Sequence, residues 1–124
     1  MPNQKVKKAK EANKTKEATK SFKDSSGKPP VELIPWAAEE AMAAAFAFGA
    51  TKYGRHNYKI DGLPVTYLLG AAKRHIGKFL DGIDLDDESG VSHLGHALCG
   101  IAMALDALKY HPHMDDRPKR RLKS

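Results

Sequence analysis

The apolar segment from residue 36 to residue 50 constrains the fold more than any other part of the chain, because its only polar side chains are those of Glu39 and Glu40. Its alanine content, and the lack of a glycine before Gly49, favour a helix. A helix that is apolar around nearly its whole circumference has to be covered on all sides. A chain of 124 residues has few other helices to cover it, so we expect a bundle completed by a second copy, as a dimer or larger homo-oligomer.

Glycine and proline divide the chain into three main helices. Pro35 is well placed to start the first helix and Gly54 to end it, whereas residues 55–64 are expected to form a loop, because Asn, Asp, Gly and Pro favour turns. No stretch alternates clearly enough to be a strand, so the predicted fold class is all-α. The predicted helices run from Trp36 to Tyr53, from about Val65 to Asp81, and from about Val91 to Tyr110 with Ser89 or Ser92 as a cap.

Apolar residues at three-and-four spacing predict the buried faces of the second and third helices. The opposite face of the third helix carries small residues, which would let a helix of another subunit approach closely. The predicted buried residues are Leu68, Leu69, Ala72, Ile76, Phe79 and Leu80 in the second helix, and Leu94, Leu98, Ile101, Leu105 and Leu108 in the third; the small face consists of Ala97, Gly100, Met103, Ala104 and Ala107.

Positive charge is concentrated at the two ends of the chain, which has a net charge of +6. Residues 1–28 carry nine lysines and three acids, and residues 114–124 carry five basic residues and two acids. Both ends are poor in large apolar groups, so we expect disordered basic tails around a helical domain of residues 29–113. Such tails are usually only solvated, and the alternative is a weak, salt-sensitive contact with nucleic acid.

The single cysteine, Cys99, excludes an internal disulfide and a thiolate zinc cage. The N-terminal lysines have no apolar stretch behind them, so no secretory signal is expected. No apolar run is long enough and free enough of charge to cross a bilayer. We therefore expect a cytoplasmic protein that makes no membrane contact.

Carboxylates are the first group of residues that could support chemistry. Glu40 has alanines as helical neighbours and is expected to be buried, where a carboxylate needs a cation or a hydrogen-bond partner. The alternative is that Glu39 or Glu40 lies on a narrow solvent-facing strip, as an anion favoured in the first turn of a helix. The connection between the second and third helices is crowded with acids, and this density of hard oxygen ligands suits Mg²⁺, Mn²⁺ or Ca²⁺, although acidic connections between helices are common. These acids are Asp81, Asp84, Asp86, Asp87 and Glu88.

Histidines form the second group. His75 lies beside the apolar seam of its helix, where a lone histidine is more often a hydrogen-bonded core residue than a ligand. His93 and His96 are three residues apart and hence on one side of a helix, where they could share a metal, contact a phosphate or bond to carbonyls. With Asp87 and Glu88 just before them, they make a candidate carboxylate–imidazole site.

Basic and aromatic residues meet at the end of the first helix. Lys52 and Arg55 can neutralise phosphate oxygens, and Tyr53 between them can stack on a base. The alternative is a helix C-terminus where cations are favoured by the helix dipole.

Seven short motifs then follow one another in a recognisable order: GKP at 27–29, LIP at 33–35, FGATKYG at 48–54, NY at 57–58, AAKRH at 71–75, DDESG at 86–90 and HLGHA at 93–97. Together they resemble the dATP/dGTP diphosphohydrolase N-terminal domain family, a group of small, mostly phage-encoded proteins. The resemblance covers about residues 27–110 and implies an all-α fold. It also implies hydrolysis of purine deoxynucleoside triphosphates to monophosphate and pyrophosphate, with Mg²⁺ or Mn²⁺.

The same resemblance implies roles for individual residues. Metal would be bound by acids, phosphates neutralised by basic side chains, and protons shuttled or metal ligated by histidines. The paired acidic motifs of MazG-type pyrophosphohydrolases are not visible here, so likeness to that group is analogy only. The implied metal-binding residues are Glu40, Asp84, Asp87 and Glu88; the phosphate-binding residues are Lys52, Arg55 and Arg74, with Tyr53 and Asn57 near base or sugar; the catalytic residues are His75, His93 and His96.

Two other functions remain open at this point. One is a non-catalytic phage accessory protein that binds or sequesters a nucleotide. The other is a nucleic-acid-associated protein that acts through its basic tails.

Overall fold

The computed structural model describes residues 27–118 of the chain. This part contains four α-helices and two short 3₁₀ helices, joined by turns and connections. We number the α-helices α1 to α4. The 3₁₀ helices are Val31–Leu33 and Pro112–Met114, and the α-helices are α1 (Trp36–Tyr53), α2 (Asn57–Asp61), α3 (Val65–Leu80) and α4 (His93–Tyr110).

The internal contacts of the chain define two units, residues 1–33 and residues 34–124. In the first unit, the structure describes residues 27–33, including the 3₁₀ helix, whose residues are all exposed. Residues 1–26 and 119–124 hold most of the two predicted basic tails and lie outside the described residues. The predicted disorder and nucleic-acid contact of these tails therefore stay predictions.

The all-α fold with three main helices is confirmed, and between residues 27 and 118 there is no strand beyond one isolated bridge, Leu85 to Ser92. The first predicted helix agrees with α1, and Asp81 lies just beyond the end of α3 as its C-cap. Ser92 caps α4, since its hydroxyl accepts a hydrogen bond from the backbone N–H of Leu94. None of these helices combines the length and the apolar character needed to cross a bilayer.

Helix α4 packs against both α1 and α3, and two glycines set how closely the helices approach. A Cβ atom on Gly95 would lie 2.5 Å from the carbonyl oxygen of Ala41 in α1. A Cβ atom on Gly100 would lie 3.1 Å from the carbonyl oxygen of Leu68 in α3. The obstacle is backbone in both cases, so α4 can lie this close to its neighbours only because these positions lack side chains.

This close approach reverses the predicted orientation of α4. The small face is the buried one: Ala97, Gly100, Ala104 and Ala107 are inside the single chain. The expected leucine stripe is exposed instead, with Leu94 40 %, Ile101 38 %, Leu105 63 % and Leu108 38 % accessible. Leucine and isoleucine side chains are too large to fit where the helix backbones are in contact. For this reason the prediction from apolar spacing, that the leucine face of α4 is buried, is wrong.

Helix α3 shows the same effect in a weaker form. Its residues Leu68 and Ala72 are buried as predicted, whereas Leu69, Ile76 and Leu80 are exposed. The core formed by α3 and α4 is small, and its buried members are Val65, Leu68, Ala104 and Ala107. In α1 only Ala45 is buried, so this helix is not covered on all sides by its own chain. The predicted self-association stays a prediction.

The predicted loop 55–64 is wrong in one respect, because it contains the single-turn helix α2. Tertiary contacts hold this turn: the Tyr58 ring packs 5.4 Å from the Phe46 ring, and His111 Nε2 lies 3.0 Å from the Lys59 carbonyl oxygen as a hydrogen-bond donor. Contacts so distant in sequence are invisible to local turn propensities.

The start of α3 is capped from far along the chain, by a residue assigned above to the C-terminal tail. The carboxylate of Asp116 accepts hydrogen bonds from the backbone N–H of Thr66 (2.9 Å) and from its hydroxyl (2.6 Å). These bonds lower the pKa of Asp116. A carboxylate at a helix N-terminus satisfies donors that the helix itself leaves unpaired.

We expect Gly95→Ala to destabilise the protein by about 1–3 kcal/mol, because the new methyl group would have to push α1 away from α4. The matched control is Gly77→Ala in α3, where a Cβ atom meets nothing within 4 Å. This control is expected to stabilise by roughly 0.5–1 kcal/mol through lower unfolded-state entropy and better helix propensity. Guanidinium unfolding of the two variants measures the difference, and equal midpoints would contradict the close approach.

Candidate functional site

Three elements bring ionisable side chains together where α3 ends and α4 begins. His75 comes from α3, His93 and His96 come from the first turn of α4, and Asp86 with Ser89 comes from the connection between them. We call this set the histidine–aspartate cluster. It contains all three histidines predicted to be catalytic.

The three imidazoles are packed against one another. Nδ1 of His75 lies 2.8 Å from Nδ1 of His93, so one ring donates a hydrogen bond to the other. The rings of His75 and His96 stack with centroids 4.6 Å apart. His93 is only 1 % exposed. The ligand atoms of His75, Asp86 and His93 lie within 4.8 Å of one another, so this group could hold a metal ion.

Ser89 connects Asp86 to His96. Its hydroxyl lies 2.9 Å from Asp86 Oδ2 and 2.6 Å from His96 Nε2, and it accepts a bond from the Val91 backbone N–H. A hydroxyl has one proton to donate and two lone pairs to accept with. Donation to the charged carboxylate leaves the hydroxyl as acceptor for His96 Nε2–H. His96 therefore keeps its proton on Nε2 and a lone pair on Nδ1.

The connection is held in shape by its own backbone. The Asp86 N–H donates to the Val91 carbonyl, and the Gly90 N–H donates to the Asp86 carbonyl, with Gly90 at a φ of 71°. The N–H of His93 donates to the carbonyl of Asp84. These bonds make a tight turn that aims Asp86 toward the histidines.

Burial favours the neutral form of His75 and His96. Desolvation lowers the pKa of both His75 and His96, and the neighbouring imidazoles lower it further, against the opposing pull of Asp86. Burial also acts to raise the pKa of Asp86, but two hydrogen bonds from Ser89 and the nearby histidines outweigh it, so its pKa lies below the usual value. Near pH 7 the cluster therefore combines the charged carboxylate of Asp86 with the neutral imidazoles of His75 and His96.

A cleft of about 1260 Å³ leads to the cluster. Residues of α1 and α3 form its two sides, and residues of α4 such as Cys99 and Met103 also line it. His75, Asp86 and His96 are polar members of an otherwise largely apolar lining. This volume exceeds that of a typical small-molecule site, so it accommodates a ligand the size of a nucleotide.

The structure brings most of the predicted substrate-binding residues to this cleft. Lys52, Tyr53, Arg55 and Asn57 all line it, from the end of α1 and the start of α2. Arg74 does not. It lines a separate cavity of about 140 Å³ beside His75 and Lys78.

Lys52 and Glu88 form an ion pair at this cleft, with Nζ and Oε1 2.8 Å apart. The same ammonium group lies 5.9 Å from the centroid of the Phe48 ring and 5.4 Å from that of Tyr53. Its hydrogen bond to Glu88 raises the pKa of Lys52. Both side chains are substantially exposed, at 44 % and 62 %, so another anion can compete for the lysine.

The acids predicted as metal ligands lie outside the group that could hold an ion. Glu40 is exposed, and its expected burial is wrong, because α1 is covered on one side only. Asp84 and Asp87 are also exposed, and Glu88 is paired with Lys52. The carboxylate that does reach the histidines is Asp86, which belongs to the same acidic connection.

Sequence reasoning placed Asp86 among the acids of the connection and Ser89 as a possible helix cap, but it singled out neither as a site residue. A signal for both was present, since an aspartate followed three residues later by serine and then glycine favours a side-chain-bonded turn. Lys78 lies one turn after Arg74 on α3 and lines the same small cavity.

The buried thiol of Cys99 lines the cleft without offering a nucleophile. Burial raises its pKa to about 11, and only a thiolate attacks. The chemistry of this site therefore depends on its histidines, carboxylates and cations.

We expect the metal-free protein, kept in EDTA, to lose stability as the pH falls from 8 to 5.5. Because folding lowers the pKa of His75 and His96, the unfolded chain binds protons more readily, and the stabilisation present above about pH 6.5 is lost as the pH drops through the lowered values. Guanidinium unfolding at several pH values measures the slope.

His96→Gln should flatten this dependence, whereas His113→Gln, at an exposed histidine beyond the other end of α4, should leave it unchanged. Equal slopes in both variants and the parent would contradict the lowered pKa of His96.

Comparison with known proteins identifies a matching family model and a related phage protein. The family model described as dATP/dGTP diphosphohydrolase, N-terminal, matches residues 18–117. A protein of Salmonella phage PMBT28, named dATP/dGTP diphosphohydrolase, is 39 % identical over 96 residues, which is 77 % of this chain and 32 % of that protein. The chain thus spans about a third of the length of this curated relative, and no solved structure matches it. The chain belongs to the dATP/dGTP diphosphohydrolase N-terminal family.

Proposed function

We propose that this protein hydrolyses deoxynucleoside triphosphates to the monophosphate and pyrophosphate, with the help of a divalent cation. The observation that carries the proposal is the cleft, which joins an apolar, partly aromatic lining to the histidine–aspartate cluster and to Lys52. The name of the phage relative, a dATP/dGTP diphosphohydrolase, supports a purine substrate.

The lining of the cleft suits the two chemically different ends of a nucleotide. Tyr53, Tyr58 and Tyr67 offer ring faces and hydroxyl groups to a base and sugar. Lys52 and Arg55 offer positive charge to a triphosphate. In this arrangement the phosphates lie between the end of α1 and the cluster.

The reaction we propose is attack of water on the α-phosphorus. A new bond forms from the water oxygen to this phosphorus, the bond from the phosphorus to the bridging oxygen of the β-phosphate breaks, and pyrophosphate leaves. His96 receives the water proton at Nδ1, since Ser89 holds the other ring nitrogen as Nε2–H. A divalent cation at the cluster would supply polarisation of a phosphoryl oxygen and activation of the water.

Lys52 is the residue whose partner would change on binding. In the free protein its ammonium group pairs with Glu88, and a triphosphate in the cleft offers more negative charge. We infer that Lys52 leaves Glu88 for the phosphates and neutralises charge that develops on departing pyrophosphate. The exposed pair costs little to break.

The direct test is incubation of the purified protein with each of the four deoxynucleoside triphosphates and Mg²⁺ or Mn²⁺, with separate measurement of monophosphate and pyrophosphate. Stoichiometric release of both products supports the proposal. Tight nucleotide binding with no turnover by the folded protein would instead support nucleotide sequestration. Absence of both would remove the nucleotide from the function of this cleft.

We expect Lys52→Ala to raise KM for the triphosphate by about tenfold, because a charge-assisted contact to phosphate is lost. The matched control is Lys109→Ala. Lys109 is also an exposed lysine near a helix C-terminus, 5.3 Å from the ring of the tyrosine that follows it, and it does not line the cleft. Steady-state kinetics of the two variants gives the comparison, and an equal KM in both would refute the phosphate contact.

A further inference from the structure

We propose that His75, Asp86 and His93 form a binding site for a transition-metal ion of the Mn²⁺, Co²⁺ or Zn²⁺ type, in preference to Mg²⁺. The inference concerns the same site as the proposed function. It does not depend on catalysis, because metal binding is measured without a nucleotide.

The two imidazole ligands lie slightly closer together than two ligands of one metal ion would. Their Nδ1 atoms are 2.8 Å apart. Two nitrogen ligands about 2.1 Å from one ion, at angles between 90° and tetrahedral, are separated by roughly 3–3.4 Å. A small opening of the pair would therefore admit an ion, with both rings carrying their remaining proton on Nε2.

The backbone fixes His93 in this position. It is the first residue of α4, its N–H donates to the Asp84 carbonyl, and its side chain is almost fully buried. A buried ligand that is fixed in place loses little entropy on binding, which favours a specific ion over loosely held surface cations.

The carboxylate ligand is oriented just as firmly. Both the N–H and the hydroxyl of Ser89 donate to Oδ2 of Asp86, each at 2.9 Å. The other carboxylate oxygen, Oδ1, can then donate a lone pair to a metal ion. Ser89 thus provides the kind of outer support that metal sites commonly give to a ligating carboxylate.

The donor set decides which ions fit. Imidazole nitrogens favour the later first-row metals, whereas Mg²⁺ prefers an octahedron of oxygens and keeps several waters. Two imidazoles and one carboxylate satisfy Mn²⁺, Co²⁺ or Zn²⁺ and leave further positions open to water or phosphate. His75 and Asp86 line the cleft, so these positions are within reach of a ligand there.

The acids next to Asp86 separate this site from a diffuse acidic patch. Asp84 and Asp87 are exposed carboxylates of the same connection, and neither belongs to the group with the histidines. If the negative charge of the connection alone attracted cations, any of these acids would matter equally. A site with defined ligands requires Asp86 in particular.

The test is titration of the full chain with Co²⁺, followed by its visible absorption bands and by calorimetry. We expect one ion per chain, no displacement by a large excess of Mg²⁺, and displacement by Zn²⁺. Asp86→Asn and His93→Gln should weaken binding by at least tenfold, and Ser89→Ala by about tenfold. The matched controls Asp87→Asn and His113→Gln should bind as the parent does.

Circular dichroism shows which variants are folded, and Asp86→Asn, which changes only charge and one atom, keeps the test meaningful if His93→Gln fails to fold. Equal losses in Asp86→Asn and Asp87→Asn, displacement of Co²⁺ by a large excess of Mg²⁺, or no Co²⁺ binding by the folded parent would each overturn the proposal. Binding without triphosphate hydrolysis would leave the metal site standing and refute only the proposed function.

Discussion

The structure depends on the close contact of the α4 backbone with the backbones of α1 and α3. Gly95 meets the Ala41 carbonyl, and Gly100 meets the Leu68 carbonyl. Because α4 is held between its neighbours by small residues, its first turn stays near both α1 and α3. The ring of His96 in this turn stacks on the ring of His75 in α3 and meets the ring of Phe48 in α1 edge-on. Helices in such close contact would be forced apart by a single added methyl group, and the van der Waals contacts between them would weaken.

Within that frame, one hydroxyl group organises the polar site. Ser89 can donate only once, and its donation to Asp86 determines which nitrogen of His96 carries a proton. Burial then keeps His75 and His96 uncharged, so that their lone pairs are available for a proton or an ion. A charged carboxylate beside neutral imidazoles is a chemically useful combination, and the surrounding apolar cleft strengthens its electrostatics.

Local sequence signals predicted the helices because caps and breakers act within a few residues. Pro35 and Gly54 begin and end α1 through their backbone preferences. Ser92 begins α4 through its hydroxyl, which accepts a hydrogen bond from the backbone N–H of Leu94. Periodicity was less informative for α4, which has two apolar faces. Periodicity identifies where apolar residues recur along a helix. Whether the face with Leu105 or the face with Ala104 is buried depends on the distance between the helix axes, and the sequence of one helix does not specify that distance.

The sequence by itself determined the all-α class, the three main helices, the family motifs and the residue types of the site, since these follow from local preference and from chemistry carried by single side chains. Only the tertiary structure decided that Asp86, and not Asp84 or Asp87, faces His75 and His93. It likewise decided that Glu40 is exposed and that Glu88 pairs with a lysine 36 positions away. Neighbouring carboxylates have the same chemistry and differ in the direction in which the turn orients each side chain. That direction is set by backbone torsions and by contacts between elements distant in sequence.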